Sequence, residues 1–165
     1  MDEDWKARLA SEIRGLRKLA VLGVGNPDKG DDGAGPLCAG LLGRRAAGRA
    51  SKRLLVIDGR DVPESQTGPI RRFGPDLTVI VDAAVGGQTP GTIFIIEKAG
   101  ISDNEVSTHR ISLLYLVSYL EESIGSRALV IGVEPGTLKE GAPMTPAVKK
   151  AVETVSEFLL DAILP

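Results

Sequence analysis

Three short apolar runs constrain the fold of this chain more than any other feature. They occupy residues 19–24, 53–58 and 77–82, they are rich in Val, Leu and Ile, and turn residues bound them. Apolar runs of this length are typical of strands that are buried on both faces of a sheet. Short crossover segments separate the three runs, so the pattern predicts a parallel sheet with helices on both faces.

The following part of the chain predicts a change of strand direction. Residues 85–91 are too few and too rich in glycine for a crossover helix, so the strand at 92–97 should run antiparallel to the others. A helix at 110–122 then leads into a fifth strand at 128–134. If that strand is parallel to the first three, the helix must begin at the edge of the sheet where those three strands end.

Composition and length predict one cytoplasmic domain, residues 1–165, with an N-terminal helical extension at 1–17 that packs on its body. The net charge of −2 provides no basic field for nucleic acid or an anionic membrane, and no apolar run reaches the ~18 residues of a membrane span. We therefore expect no nucleic-acid or membrane partner, and the oligomeric state stays open.

The single cysteine, Cys38, excludes an internal disulfide and is expected to be a small buried residue in a helix at 36–45. The other helical patterns lie at 146–164 and, as a weak helix or a loop, at 63–73.

The glycine-rich loop after the first strand carries two adjacent carboxylates, Asp31 and Asp32. A dinucleotide-binding fingerprint fails here because Asp28 holds the position of its third glycine. A P-loop fails because Asp31 and Asp32 hold the places of its Lys and Ser/Thr, where they would repel a phosphate. One aspartate could serve as a helix N-cap. We favour a functional site, because a pair of carboxylates lies beside so many glycines.

Three residues form the candidate site: Asp32, Asp82 at the end of the third strand, and His109, the only histidine of the chain. Parallel strands share an edge, and the connectivity brings His109 to that edge as well. Two carboxylates and an imidazole suit zinc or nickel, and a bound metal could activate water for hydrolysis. In a metal-free alternative, two carboxylates share a proton and activate water. Taken alone, His109 could equally be a helix cap or a packing residue.

Two further acids at the same edge are weaker candidates. Asp58 ends the second strand, but the glycine that follows it and the nearby Arg60 indicate a turn residue with a surface partner. Glu134 precedes a proline at the end of the fifth strand, and its role stays open.

Several separated motifs together resemble the hydrogenase maturation endopeptidases, of the type that serves formate hydrogenlyase and related membrane-bound hydrogenases. The main one is the loop Gly-Asn-Pro-Asp-Lys-Gly-Asp-Asp-Gly-Ala-Gly-Pro at 25–36. The others recur in the same order at 56–59, 81–83, 89–93, 107–109 and 143–146. The resemblance covers residues 18–160, nearly the whole chain.

The resemblance implies a fold, a reaction and a set of site residues. The family's fold is a three-layer α/β/α sandwich around a five-stranded mixed sheet of order 2-1-3-5-4, in which strand 4 is antiparallel. Its members remove the C-terminal extension of the [NiFe]-hydrogenase large-subunit precursor after nickel insertion, and they are classed as aspartic-type endopeptidases. The family's metal-contacting residues match Asp32, Asp82 and His109, with Asp32 and Asp82 as the catalytic pair. The nickel is expected to arrive with the substrate, and no organic cofactor is expected.

Two other functions stay open on the residues alone. A non-catalytic nickel-binding chaperone or delivery module for hydrogenase assembly would use the same three residues and leave the precursor intact. A flavodoxin-like binder of a small molecule is disfavoured by the acidic first loop.

Overall fold

A computed structural model describes residues 4–49, 52–98 and 110–164 of the chain. It contains five strands, which we number in chain order: β1 Leu19–Val24, β2 Leu54–Arg60, β3 Leu77–Ala83, β4 Ile93–Ile96 and β5 Arg127–Val133. The helices are α1 Asp4–Ile13, α2 Ala34–Ala46, α3 Thr67–Phe73, α4 Arg110–Tyr119 and α5 Pro146–Ile163.

The strands form one mixed sheet of order β2-β1-β3-β5-β4. Strands β2, β1, β3 and β5 are parallel, and β4 pairs antiparallel with β5. The predicted α/β fold, strand order and reversal of the fourth strand are therefore confirmed. The four parallel strands end at one side of the sheet, which we call the carboxyl edge. The opposite side, where they begin, is the amino edge.

Strand alternation divides the apolar residues into two cores, one on each face of the sheet. Val79 and Val81 of β3 face a core shared with α1, α2 and α5, whereas Ile80 between them faces a core shared with α3 and α4. The central strands β1 and β3 are buried along their whole length. Burial on both faces explains why these strands are continuous apolar runs in the sequence.

The N-terminal helix α1 is part of the first core. Its apolar stripe, Trp5, Leu9 and Ile13, is buried. The ring of Trp5 meets Phe158 of α5 edge-on, with 5.3 Å between the centroids. The prediction that this segment packs on the body of the protein is thus confirmed. No helix in the described ranges is long and apolar enough to cross a bilayer.

Some helix boundaries differ from the prediction. A 3-10 turn at Gly30–Gly33 precedes α2, which begins at residue 34 and not at the proline two residues later. The segment at 63–73, predicted as a weak helix or a loop, forms a 3-10 turn, Pro63–Gln66, followed by α3. A π-helical turn, Leu120–Ile124, extends α4. Pro36 lies in the first turn of α2, where proline is favourable, but it is not the first residue of the helix. The 3-10 turn before it continues directly into the helix at residue 34.

Two glycines let α2 begin directly against the carboxyl edge. A Cβ on Gly35 would lie 2.2 Å from the carbonyl oxygen of Val24 and 2.3 Å from that of Val81. A Cβ on Gly23 would lie 2.1 Å from the carbonyl oxygen of Gly35. Only glycine allows this approach, which places the first turn of α2 over the ends of β1 and β3.

Candidate functional site

Asp31 holds two distant parts of the carboxyl edge together. Its Oδ2 accepts hydrogen bonds from the backbone N–H groups of Gly136, at 2.7 Å, and Thr137, at 3.1 Å. Its Oδ1 accepts one from the N–H of Thr145 at 2.7 Å, and the Thr145 hydroxyl lies within 3.1 Å of both carboxylate oxygens. The side chain is fully buried. Asp31 therefore clamps the segment after β5 onto the loop after β1.

Asp32 is the neighbouring carboxylate, and it is fixed by its own loop. Its Oδ2 accepts a hydrogen bond of 2.9 Å from the N–H of Asn26, and the residue is only 4% exposed. Gly33 is the N-cap of α2, and no side chain caps that helix. The alternative interpretation of these aspartates as helix caps is therefore wrong, because their carboxylates bond to other parts of the chain.

Asp82 lies at the end of β3, opposite Gly132 of β5 in the sheet register. It is fully buried, and its Oδ1 is inaccessible to solvent. The residue before it, Val81, contacts the first turn of α2 through its carbonyl oxygen, as described above. The 3-10 turn that carries Asp32 continues directly into that helix. The structure thus places both predicted carboxylates at the carboxyl edge, on elements that pack against each other.

Glu134 follows β5 at the same edge and is buried, with 5% of its surface exposed. Its Oε2 accepts a hydrogen bond of 2.7 Å from the N–H of Gly86, in the loop after β3. Its backbone bonds to the turn before β4, through the carbonyl of Thr92 and the N–H of Gly91. These contacts hold the loop beside Asp82 in place, which is a positioning role that the sequence did not indicate.

Asp58 has the surface partner that the sequence predicted, but it is not a turn residue, because β2 continues through it to Arg60 and it pairs with Gly23 of β1. Its side chain is 40% exposed, and its Oδ2 lies 3.7 Å from Nε of Arg60. Its Oδ1 also accepts a 3.2 Å hydrogen bond from the backbone N–H of Arg60, which has a left-handed φ of 48°.

The third predicted ligand, His109, lies outside the described residues, just before α4. Within the described ranges, no group of three or more His, Cys, Asp or Glu side chains could hold a metal ion. Of the three predicted ligands, the described part of the structure therefore contains the two carboxylates, Asp32 and Asp82.

Cys38 is not a nucleophile in this structure. It is fully buried in α2, and burial raises the pKa of its thiol to about 12. A thiol with so high a pKa holds almost no reactive thiolate at neutral pH. The prediction that Cys38 is a small buried residue is confirmed.

A groove of about 550 Å³ opens beside the aspartate loop. Residues from the loop, α2, β2, the segment before α5 and α5 itself line it: Pro27, Gly30, Gly33, Pro36, Leu37, Asp58, Ala142, Pro143, Met144 and Lys149. A second cleft, of about 260 Å³, lies at the amino edge between α1 and β5, away from the candidate site.

Comparison with known proteins gives a consistent result. The sequence model of the family described as HycI, hydrogenase maturation protease, matches residues 38–162. The Hydrogenase 3 maturation protease of Escherichia coli K12 is 39% identical over 140 residues, which are 84% of this chain and 86% of that protein.

Solved structures agree with the sequence matches. The crystal structure of the [NiFe] hydrogenase maturation protease HycI from Thermococcus kodakarensis KOD1 superposes with a TM-score of 0.86 at 29% identity, and the match covers 96% of this chain and 99% of that one. The hydrogenase maturating endopeptidase HybD from E. coli gives a TM-score of 0.71 at 25% identity, covering 88% and 91%. Because the family model spans most of the chain and a relative at 39% identity covers 84% of it, this chain belongs to the hydrogenase maturation proteases, a family of peptidases.

Proposed function

We propose that this protein is the endopeptidase that removes a C-terminal extension from the large-subunit precursor of a [NiFe] hydrogenase after nickel insertion. The observation that carries the proposal is the burial of Asp32 and Asp82 at one edge of the sheet, on elements in contact with each other. Membership in the protease family supports the class of reaction.

Nickel on the precursor would interact with these carboxylates. A divalent cation attracts an ionised carboxylate more strongly in a partly water-excluded site than in bulk water. A precursor that carries nickel brings that cation, whereas a nickel-free precursor does not. Carboxylate oxygens and an imidazole nitrogen can ligate nickel, so we assign His109 as the third ligand. Binding and cleavage then depend on completed nickel insertion.

We assign the hydrolytic step to a water beside Asp32 or Asp82. One carboxylate takes a proton from that water, and the water oxygen attacks the carbonyl carbon of the scissile bond. The C–N bond then breaks, and the leaving amine takes up a proton. In an aspartic-type version the two carboxylates share a proton and act without further help. In a metal-assisted version the precursor's nickel also polarises the carbonyl. Both versions require both carboxylates.

The test compares purified protein on nickel-loaded and nickel-free precursor, with the shortened large subunit as readout. We expect cleavage of the nickel-loaded precursor and little or none of the nickel-free one. Equal cleavage of both would refute the nickel dependence, and full activity of the His109→Ala variant would refute the ligand assignment.

The same assay separates the protease from a nickel-delivery module. A delivery module would bind the precursor through the same residues and leave its length unchanged. The match to a protease family favours cleavage over delivery.

A further inference from the structure

Apolar residues form most of the lining of the groove beside the aspartate loop. Three of its lining residues are prolines, and Leu37 and Met144 add apolar side chains. Its volume of about 550 Å³ falls within the range of ~300–1,000 Å³ that is usual for binding pockets. Among the described residues, the charged groups that line it are Asp58 and Lys149.

Hydrogen bonds connect the walls of the groove to each other. Its two walls are the loop after β1 and the segment before α5, and Asp31 joins them through the hydrogen bonds to Gly136, Thr137 and Thr145. The prolines restrict the backbone of both walls further. A preformed groove loses little conformational entropy when it binds a flexible chain.

The groove is also continuous with the proposed active site. Gly30 and Gly33, which line it, bracket Asp31 and Asp32 in the sequence. A Cβ on Gly33 would lie 3.0 Å from Cα of Pro27 and 3.5 Å from the terminal methyl of Met144. The 3-10 turn that carries Asp32 therefore lines the groove through its two glycines, so a chain lying in the groove lies beside that turn.

The size of the groove favours a single extended chain over a second copy of this protein. A stable dimer interface buries about 800 Å² on each partner over a broad surface. A groove of about 550 Å³ instead accommodates a few residues of one chain.

We propose that this groove binds an extended segment of the precursor next to the cleaved bond, with an apolar side chain of that segment between Leu37 and Met144. The proposal rests on the proposed function, because it names the substrate segment of the same site. It makes the groove a determinant of substrate specificity that is separate from nickel recognition.

The chain offers a direct test because its only cysteine is buried. The Ala142→Cys variant places one accessible thiol in the groove, and a maleimide reagent measures its labelling rate. The matched control is Ala162→Cys, which makes the same substitution at another half-buried alanine. That position lies 13 residues beyond the groove residue Lys149 on α5, a distance of about 20 Å along the helix.

We expect an excess of nickel-loaded precursor to slow labelling of Ala142→Cys at least fivefold and to leave Ala162→Cys unchanged. Equal labelling of Ala142→Cys with and without precursor would overturn the proposal. Slower labelling at higher protein concentration without precursor would also overturn it, because a second copy would then occupy the groove. Protection without any cleavage by the wild type would reject the proposed function and keep the groove as a precursor-binding site.

A kinetic measurement provides a second readout. Met144→Gln keeps the length of the side chain and makes it polar, so we expect KM to rise about threefold to tenfold while kcat changes less than twofold. The control is Tyr115→Gln, a change at an exposed residue of α4 outside the groove. An unchanged KM in Met144→Gln together with full cleavage by the wild type would overturn the groove proposal alone.

Discussion

The two edges of the sheet differ in their charged groups: both carry exposed ion pairs, such as Asp58 with Arg60 at the carboxyl edge, but only the carboxyl edge has a cluster of buried carboxylates among the described residues. At the amino edge, exposed side chains form ion pairs across elements: Arg8 with Glu97 at 3.3 Å, and Lys98 with Glu121 at 2.9 Å. At the carboxyl edge, Asp31, Asp32 and Asp82 are all at least 96% buried. Exposed pairs contribute ~0–1 kcal/mol each, whereas burying a charge costs several kcal/mol before compensation.

The exposed ion pairs of the amino edge can be lost with little effect, because water replaces each partner. The carboxylates of the carboxyl edge are removed from water at a cost. For Asp31, hydrogen bonds from three backbone N–H groups offset that cost. For Asp32 and Asp82, the proposed function adds a chemical role to their place in the fold.

The largest effect is expected from removing one carboxylate charge of the proposed site. Asp82→Asn and Asp32→Asn should each lower precursor cleavage at least about a thousandfold, ~4 kcal/mol, since each loses a proposed nickel ligand and a proposed general base. Arg8→Ala at the amino edge should leave cleavage within twofold. Cleavage rates on nickel-loaded precursor check both, and an active Asp82→Asn variant would remove the functional contrast between the edges.

The next effect concerns stability. Asp31→Ala removes the acceptor of three N–H groups whose hydrogen bonds are part-buried. At the lower end of ~1–3 kcal/mol for each group, because water can reach them in part, the variant should lower the free energy of unfolding by about 3 kcal/mol. Glu97→Ala, which breaks an exposed ion pair, should cost less than about 1 kcal/mol. Urea unfolding followed by circular dichroism measures both. Similar losses for the two variants would show that Asp31 is not the clamp of the carboxyl edge.

Two glycines of α2 sharpen the comparison within one helix. Gly35→Ala, at the carboxyl edge, forces a Cβ against two carbonyl oxygens and should cost about 2 kcal/mol or more. Gly43→Ala, nearer the other end of α2, meets nothing within 4 Å and should stabilise the protein by ~0.5–1 kcal/mol. Unfolding midpoints that shift in the same direction for both would contradict the close packing of α2 at that edge.

The smallest effect is expected from Asp76, a carboxylate at the amino edge. Its Oδ2 accepts hydrogen bonds from the backbone N–H groups of Arg17 and Lys18, both at 2.9 Å. The hydrogen bonds from Lys18 and then Arg17 lower the pKa of Asp76 below its ordinary 3.8. A lowered folded-state pKa means that the stabilisation is present above the unfolded-state pKa and is lost as the pH falls through the folded-state pKa. Wild type should therefore be more stable than Asp76→Asn at pH 7, and the difference should shrink on acidification; a difference independent of pH would contradict this.

The sequence predicted most of the fold, because its information is local. The apolar runs and the loop lengths are enough to predict five strands, the reversed direction of β4, and the position of Asp32 and Asp82 at one edge of the sheet. The role of Asp31 could not be predicted, since its partners Gly136 and Thr145 lie more than a hundred residues away in the chain. Glu134 was recognised as an edge residue, but its bond to Gly86 depends on the conformation of a loop that carries no sequence signal. The assignment of His109 stays a prediction.

The most direct test of the central claim measures how the affinity for the precursor depends on both its nickel and the carboxylate of Asp82. The affinities of nickel-loaded and nickel-free precursor are compared for the wild type and for Asp82→Asn, at times shorter than one turnover. If Asp82 is a ligand of the precursor's nickel, the wild type binds the nickel-loaded form at least about tenfold more tightly, 1.4 kcal/mol, and the variant loses that preference. An equal preference for the nickel-loaded precursor in both proteins would contradict the account.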